Sequence, residues 1–522
     1  MNKIGFSNFR RFKDFPEMQL GEITILVGGN NAGKSTLVKA ILLMRDFLKN
    51  RIESVDNTDN IFKTMNPQFN FDTEHVNVGE FYRAFCRQSP RKENTISFTM
   101  GIDHFRFIVS ITGERKPGVV PEVTMIAVSD EDRNIHFIFD FTKGQMSVRF
   151  VYDEEALNGS MMEDYPIALQ IEHLKSAISK SKDLDEISRL KLKLEQLEKK
   201  AYALTSDIRM NEYDSVTIDM SYFIGDNAGK LIIPELIKGF AHYAEIGTLG
   251  DRRSLLYKEQ ESTKFFLRGK VSEINAVSEE LEKVLNKQVI EYIYAHSVYQ
   301  DSIYAKCANS SDYTKRTIHD FYNARISHGD DEFSLIEDWL KEFKIGNSFK
   351  VVPYKGDNYS LVIFDDDNPE ITSNTRKGYP GGIDLADKGM GSIQLVILLL
   401  RLATLIRKYK GQQLTVLLEE PEQNLHPALQ SKLAELVFNI NKEYGVRFVI
   451  ESHSEYLIRK TQVIVAGLNK SDNYARIPFK VIYLPDNGEP PYDMQYRTDG
   501  KFLKEFGPGF FDEAAKLAFK IF

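Results

Sequence analysis

At 522 residues, the chain exceeds what one hydrophobic core usually organises, so two or three structural units are expected. Hydrophobic residues at 42%, charged residues at 27% and only 17 Pro exclude a disordered, collagen-like or low-complexity chain. With 67 basic against 75 acidic residues the net charge is -8, so any nucleic-acid contact must come from a local patch and not from a globally basic surface. The two cysteines, Cys86 and Cys307, have no Cys or His neighbour at ligand spacing and support neither a disulfide framework nor a zinc site. A reducing, cytoplasmic setting is the expectation. Met1 to Phe12 lacks the apolar run of a signal peptide, and the longest apolar stretch, Ile393 to Leu400, stops at Arg401, so no membrane segment is expected.

In chain order, the first strong element is an apolar strand, Ile23 to Val27, followed by Gly28-Gly29-Asn30-Asn31-Ala32-Gly33-Lys34-Ser35-Thr36 and an apolar helical run. This is G-x-x-x-x-G-K-S in its required strand, loop and helix setting. Glycines at 28 and 33 let the backbone wrap a phosphate chain, and the helix start offers free N–H groups and its positive end. Lys34 is placed to reach the outer phosphates and Ser35 to ligate Mg2+. The expected ligand is a nucleoside triphosphate, held by Gly28, Asn30, Asn31, Ala32, Gly33, Lys34, Ser35 and Thr36.

Residues 90 to 152 alternate with the period of strands in "NTISFTM", "FRFIVSI", "NIHFIFDF" and "QMSVRFVY". A helical hairpin is expected beyond them. Ile167, Ile171, Leu174 and Ile178 form one apolar stripe, "SKSKDLDE" interrupts it, and Ile187, Leu190, Leu194, Leu197, Ala201 and Leu204 form the next. A further helix is expected over "STKFFLRGKVSEINAVSEELEKVLN". These helices read equally as a docking arm or as a cap on their own head. The Tyr-rich stretch "VIEYIYAHSVYQDSIY", with His296, reads as a buried aromatic strand or as a stacking surface for bases. Arg10 and Arg11 are either nucleotide or DNA contacts or a solvated basic strand.

Near the other end, Gly389-Met390-Gly391-Ser392-Ile393-Gln394 runs into an apolar helix, and a buried-strand run, Leu414 to Leu418, delivers Glu419 and Glu420. Carboxylates at a strand's carboxyl end lie where open α/β sheets bind their ligands. Glu419 suits the magnesium shell, and Glu420 suits orienting or deprotonating an attacking water. A second apolar strand, Phe448 to Ile450, ends in Glu451-Ser452-His453. Asn469-Lys470-Ser471-Asp472 matches the guanine-reading tetrapeptide of GTPases but follows the His453 strand, and it reads as a helix end and polar turn.

The order phosphate loop, Gly389 to Gln394, Glu419-Glu420, His453 resembles the ABC-type ATPase heads of SMC-like and recombination-repair proteins. More narrowly, "EEPEQNLHP", "ESHSEYL", the opening "IGFSNFRRFKDFPEMQLGEITILVGGNNAGKST" and the closing "FGPGFFDEAAKLA" resemble the OLD-like and Septu PtuA-like ATPases of bacterial antiphage defence. The resemblance implies an α/β P-loop ABC-type (SMC-like) ATPase head split by a large helical insertion with a short coiled-coil hairpin. Residues 1–160 and 291–522 would form the two halves of the head and 161–290 the insertion. It further implies an ATP-sandwich homodimer, open to higher assembly. In such a dimer Gly391 and Ser392 reach the phosphate on the partner copy's phosphate loop, and His453 contacts it. Lys34, Glu420 and His453 would carry catalysis, Ser35 and Glu419 the metal, with ATP and Mg2+ as cofactors. Three departures stand out. Glu419 replaces the usual Asp, His426 stands where many such heads have an acidic residue, and Gln68 is the sole glutamine-loop candidate.

Two functions are weighed. One is a cytoplasmic ATPase controlling a separate effector nuclease in antiphage defence, since the residues after His453 hold no Glu plus paired-Asp nuclease constellation. The other is a DNA-repair or chromosome-maintenance ATPase that binds DNA in an ATP-dependent manner. Direct DNA or RNA contact is left open in both, and a transporter motor subunit fits the length and signature less well.

Overall fold

The computed structural model describes residues 1–49, 52–53, 69–151, 178, 189–191, 193–194, 213–219, 230–231, 233–248, 261–294, 304–305, 313–354, 358–365, 382–470, 477–507, 510–512, 516–517 and 519–520. Its strands in chain order are β1 Lys3–Phe9, β2 Phe12–Gln19, β3 Ile23–Gly28, β4 Ile52–Glu53, β5 Thr95–Ile102, β6 Phe105–Thr112 and β7 Glu122–Asp130. Then come β8 Ile135–Asp140, β9 Gln145–Val151, β10 Tyr213–Asp219, β11 Lys230–Leu231, β12 Gln288–Ile293, β13 Tyr304–Ala305, β14 Ser348–Tyr354, β15 Asn358–Phe364 and β16 Gly382–Asp384. The last four are β17 Gln413–Glu419, β18 Arg447–Glu451, β19 Phe479–Leu484 and β20 Tyr492–Asp493.

An eight-stranded antiparallel sheet runs in the order β10-β9-β8-β7-β6-β5-β1-β2. Alternation explains it. Ile96, Phe98 and Met100 on β5, Phe105, Phe107 and Val109 on β6, and Phe137 and Phe139 on β8 all point into one core. On the opposite face Ser97 pairs with Ser110 and Thr95 with Thr112 through their hydroxyls, each at 3.0 Å. The sequence patterns expected here are strands, and β7, "EVTMIAVSD", joins them between β6 and β8. β10 lies within the segment expected to be helical; Val216 and Ile218 alternate with Ser215 and Thr217, so it extends the sheet edge against β9. The hairpin stripes from Ile167 to Leu204 fall almost wholly outside the described residues, as do Gln68, His296, Ser471 and Asp472.

A second sheet of six strands has the order β12-β17-β18-β3-β19-β20 and is parallel up to β20, which pairs antiparallel with β19. Its strands are near-continuous apolar runs because both faces are covered. On β3, Leu26 joins the core under the antiparallel sheet, while Ile23, Ile25 and Val27 face the other core. The helix Glu261–Lys287 also belongs to the first core through Ile274, Val277 and Leu281, so it packs as a cap on its own head. The helix Met390–Lys408 is long and apolar enough by composition to cross a membrane, yet it is buried from Ile393 to Ile406 within the second core.

Phe98 anchors the first core: it stacks on Phe69 with centroids 5.4 Å apart and meets Phe9 edge-on at 4.9 Å. Phe98→Ala is expected to destabilise by about 3–5 kcal/mol in chemical denaturation; a loss below about 1 kcal/mol would contradict this account of the core.

Candidate functional site

The phosphate loop leaves β3 at Gly28, whose φ of +155° and whose neighbour, Leu484 O, 2.4 Å from an ideal Cβ, together exclude a side chain. Gly33, at φ +106°, is equally constrained, because an added Cβ would lie 2.4 Å from the ring of Phe12. The β1–β2 corner thus sits on the loop; Arg11 stacks over Phe12 at 5.5 Å and its Cδ also faces Gly33. Arg10 donates its backbone N–H to Ala84 O at 2.6 Å, and its guanidinium charge acts on Arg83 and Lys39. The helix Lys34–Lys49 starts at the loop, with Asn30, Asn31 and Ser35 exposed around it and Ala32, Lys34 and Thr36 buried. Lys34 Nζ donates to Gly28 O and Gly29 O, both at 3.1 Å. Burial pulls its pKa down, against the opposing pull of Glu451, Glu420 and Glu422.

The second half of the chain converges on this loop. β18 pairs with β3, and β17 with β18, so Glu419 lies in register with Glu451, about 10 Å in the sheet from β3. Glu451 bridges the two halves: its Oε1 accepts from Ser35 Oγ at 2.8 Å, and its backbone O accepts from Glu420 N at 2.8 Å. Glu420 adopts φ +40°, a left-handed conformation costing about 1–2 kcal/mol, which turns it out of the strand. There its Oε1 lies 3.5 Å from His453 Nε2 and its Oε2 accepts from Gln423. Burial holds the His453 pKa below its ordinary value, with Lys34 adding to the effect, so the imidazole meets Glu420 as a neutral ring near pH 7. Glu419 Oε2 accepts from the Tyr292 hydroxyl, whose own pKa burial and this carboxylate push upward. Within the described part of the Tyr-rich stretch, Tyr292 on β12 therefore serves as a buried neighbour of Glu419.

Gly391 and Ser392 stand at the start of the helix Met390–Lys408, behind exposed Gly389 and Met390. Gly391 has no room for a Cβ, which would lie 2.7 Å from Asn424 O. Gln394 ties the helix to the acidic loop, donating to Pro421 O and accepting from Asn424 Nδ2, both at 3.3 Å. Among the described hydrogen bonds, neither Gly391 nor Ser392 reaches the phosphate loop of its own chain. His426 caps the helix Pro427–Tyr444, accepting from Ala428 N at 3.4 Å.

Three residues were not picked out by sequence reasoning. Glu422 is buried and accepts from Ser452 Oγ at 2.9 Å and from His453 N at 2.6 Å, fixing the histidine's backbone. Tyr292 and Glu451 are the others. The available signal for Glu451 was a carboxylate ending an apolar strand immediately before Ser452-His453; its approach to Ser35 depends on β18 lying beside β3, which no local pattern states.

Burial raises the Glu451 pKa from an ordinary 4.5 to about 7, reinforced by Glu419 and Glu420 and opposed by Ser35 and Lys34. The folded chain keeps a proton that the unfolded chain releases above pH 4.5. This stabilisation is complete at lower pH and is lost as pH rises towards 7. Glu451→Gln removes the titration, so in EDTA the variant should gain stability relative to wild type between pH 5 and pH 8, by at most about 3 kcal/mol. Urea denaturation at both pH values checks it; equal differences would refute the assignment.

Among solved structures, the chain is similar to the Smc head domain with an extended coiled coil bound to the C-terminal domain of ScpA derived from Pyrococcus furiosus. The identity is 11%, with 100% of this chain and 98% of that one covered and a TM-score of 0.31. It is also similar to the SmcHead bound to the C-winged helix domain of ScpA, at 10% identity, 95% and 97% coverage and a TM-score of 0.32. No curated protein matches the chain. The AAA ATPase domain family matches residues 1–458, which include the phosphate loop, the acidic pair and His453. The chain belongs to the AAA ATPase domain family, and its activity is ATP hydrolysis.

Proposed function

We propose that this ATPase closes as a dimer around ATP and uses the nucleotide cycle to control a separate effector, a nuclease, in antiphage defence within the cytoplasm. The observation that carries the nucleotide centre is the convergence of Lys34, Ser35, Glu420 and His453 through Glu451 and Glu422. The defence role draws on the resemblance carried by "EEPEQNLHP", "ESHSEYL", the opening "IGFSNFRRFKDFPEMQLGEITILVGGNNAGKST" and the closing "FGPGFFDEAAKLA".

Lys34 would exchange its two loop carbonyls for phosphate oxygens, and the exposed start of its helix would receive the same anion. Glu420, held by Gln423 and facing His453, would take a proton from the attacking water. Neutral His453 can donate one hydrogen bond to the terminal phosphate. The hard oxygens of Ser35 and Glu419 suit Mg2+. Among the described residues no three His, Cys, Asp or Glu side chains cluster as a metal cage, so the cation would be held jointly with the nucleotide. Bound there, Mg2+ would neutralise phosphate charge. The exposed Gly389-Met390 edge ahead of Gly391 and Ser392 supports their contact with a second copy's nucleotide.

Lys34→Ala is expected to abolish ATP binding. Glu420→Gln should retain binding, lower turnover by at least about 100-fold and accumulate ATP-bound dimers in size-exclusion chromatography with light scattering. Wild-type turnover in Glu420→Gln would remove this residue from the mechanism. Purified protein should leave plasmid intact. Metal-dependent nicking by this chain alone would overturn the separate-effector reading, and ATP-dependent DNA binding with a steep salt dependence would favour a repair or chromosome-maintenance role instead.

A further inference from the structure

We propose that Glu451 is itself an oxygen ligand of the magnesium ion that accompanies ATP, set between Ser35 and Glu419. The inference rests on the nucleotide-centre reading above and adds a residue to it. Glu451 is the last residue of β18, directly beside the strand that launches the phosphate loop and in register with Glu419. The residue is only 4% exposed, and its two oxygens are used unequally. Oε1 accepts from Ser35 Oγ, the phosphate-loop hydroxyl suited to the cation, at 2.8 Å. Oε2 is buried and has no hydrogen-bond partner.

A buried carboxyl oxygen without any hydrogen-bond partner is uncommon, because burial removes its water without replacement. Here the gap lies at the site's charged centre. Glu419 and Glu420 both repel the Glu451 charge, while Lys34 and Lys39 are the cations whose fields oppose theirs. A divalent ion beside Ser35 would supply the missing partner to Oε2 and offset the surplus carboxylate. Mg2+ favours few carboxylates together with substrate phosphates and water, and a pair from adjacent strand ends plus one hydroxyl matches that habit.

A purely structural role would make a different demand. If Glu451 only orients Ser35, a glutamine suffices, since its amide oxygen still accepts from Ser35 Oγ. If it ligates the metal, loss of the negative charge weakens metal binding specifically.

The test is Mn2+ titration followed by electron paramagnetic resonance, on full-length wild type and Glu451→Gln with and without ATP, beside ATP binding in EDTA. Glu451→Gln should bind ATP in EDTA within about twofold of wild type, while its Mn2+ affinity in the ATP complex falls by about 10–100-fold. Mn2+ affinity within twofold of wild type would overturn the proposal. Should Glu451→Gln fail to fold, Glu451→Asp goes through the same titration. It keeps the charge but withdraws it by one methylene, and an unchanged affinity overturns the proposal equally. Wild type that binds ATP no better with Mn2+ than in EDTA would defeat the nucleotide-centre reading itself, together with this addition. Metal-dependent wild-type binding that survives in Glu451→Gln defeats only the role given to Glu451.

Discussion

Strand β3 is seated between β18 and β19, pairing Ile25 with Ile450 on one side and with Val481 on the other. Parallel strands present their carboxyl ends on one edge of a sheet, so this pairing sets Glu451 opposite Leu26, two residues before the loop begins at Gly28, and the acidic pair one strand farther. Residues 416 positions apart in sequence, Ser35 and Glu451, then meet in one hydrogen bond. The apolar content of β3 enforces the seat: Leu26 is required by one core and Ile23, Ile25 and Val27 by the other, so a one-residue slip would exchange the two faces.

Around that seat the charges are arranged unevenly. Glu420, Glu422 and Glu451 act on Lys34 and Glu419 on Lys39, and each carboxylate is restrained by a different group: Gln423 with His453, Ser452 with the His453 amide, Ser35, and Tyr292 respectively. Burial favours protonation of Glu422 and Glu451 and deprotonation of His453 and Lys34. All four shifts oppose the charged form, as expected where water is excluded before a charged ligand arrives. The positive φ of Glu420 belongs to the same design, since it separates that side chain from Glu419 and aims it at His453.

The segment from Pro421 to His426 couples this centre to the helix Met390–Lys408. Glu422 holds the His453 backbone, while Asn424 bonds Gln394 and abuts Gly391 within the same short stretch. His453 and the helix start are thus joined by contacts of one short loop. In the proposed dimer that loop would connect the hydrolytic side of one copy to the surface it offers its partner.

The amino-acid sequence determined the features that need only local spacing. Gly28, Gly33, Lys34 and Ser35 declare a phosphate loop because backbone sterics and helix-end charge act within a few residues. The runs Leu414–Leu418 and Phe448–Ile450 announce buried strands ending in carboxylates or histidine. The alternation in residues 90 to 152 announces an antiparallel sheet, although β7 and the edge strand β10 were not read from it. Tertiary structure alone decided that Glu451 meets Ser35, that Tyr292 holds Glu419 and that Glu422 fixes His453. Each depends on which strand lies beside which, a choice made by packing two apolar faces at once and expressed by no periodicity in the chain.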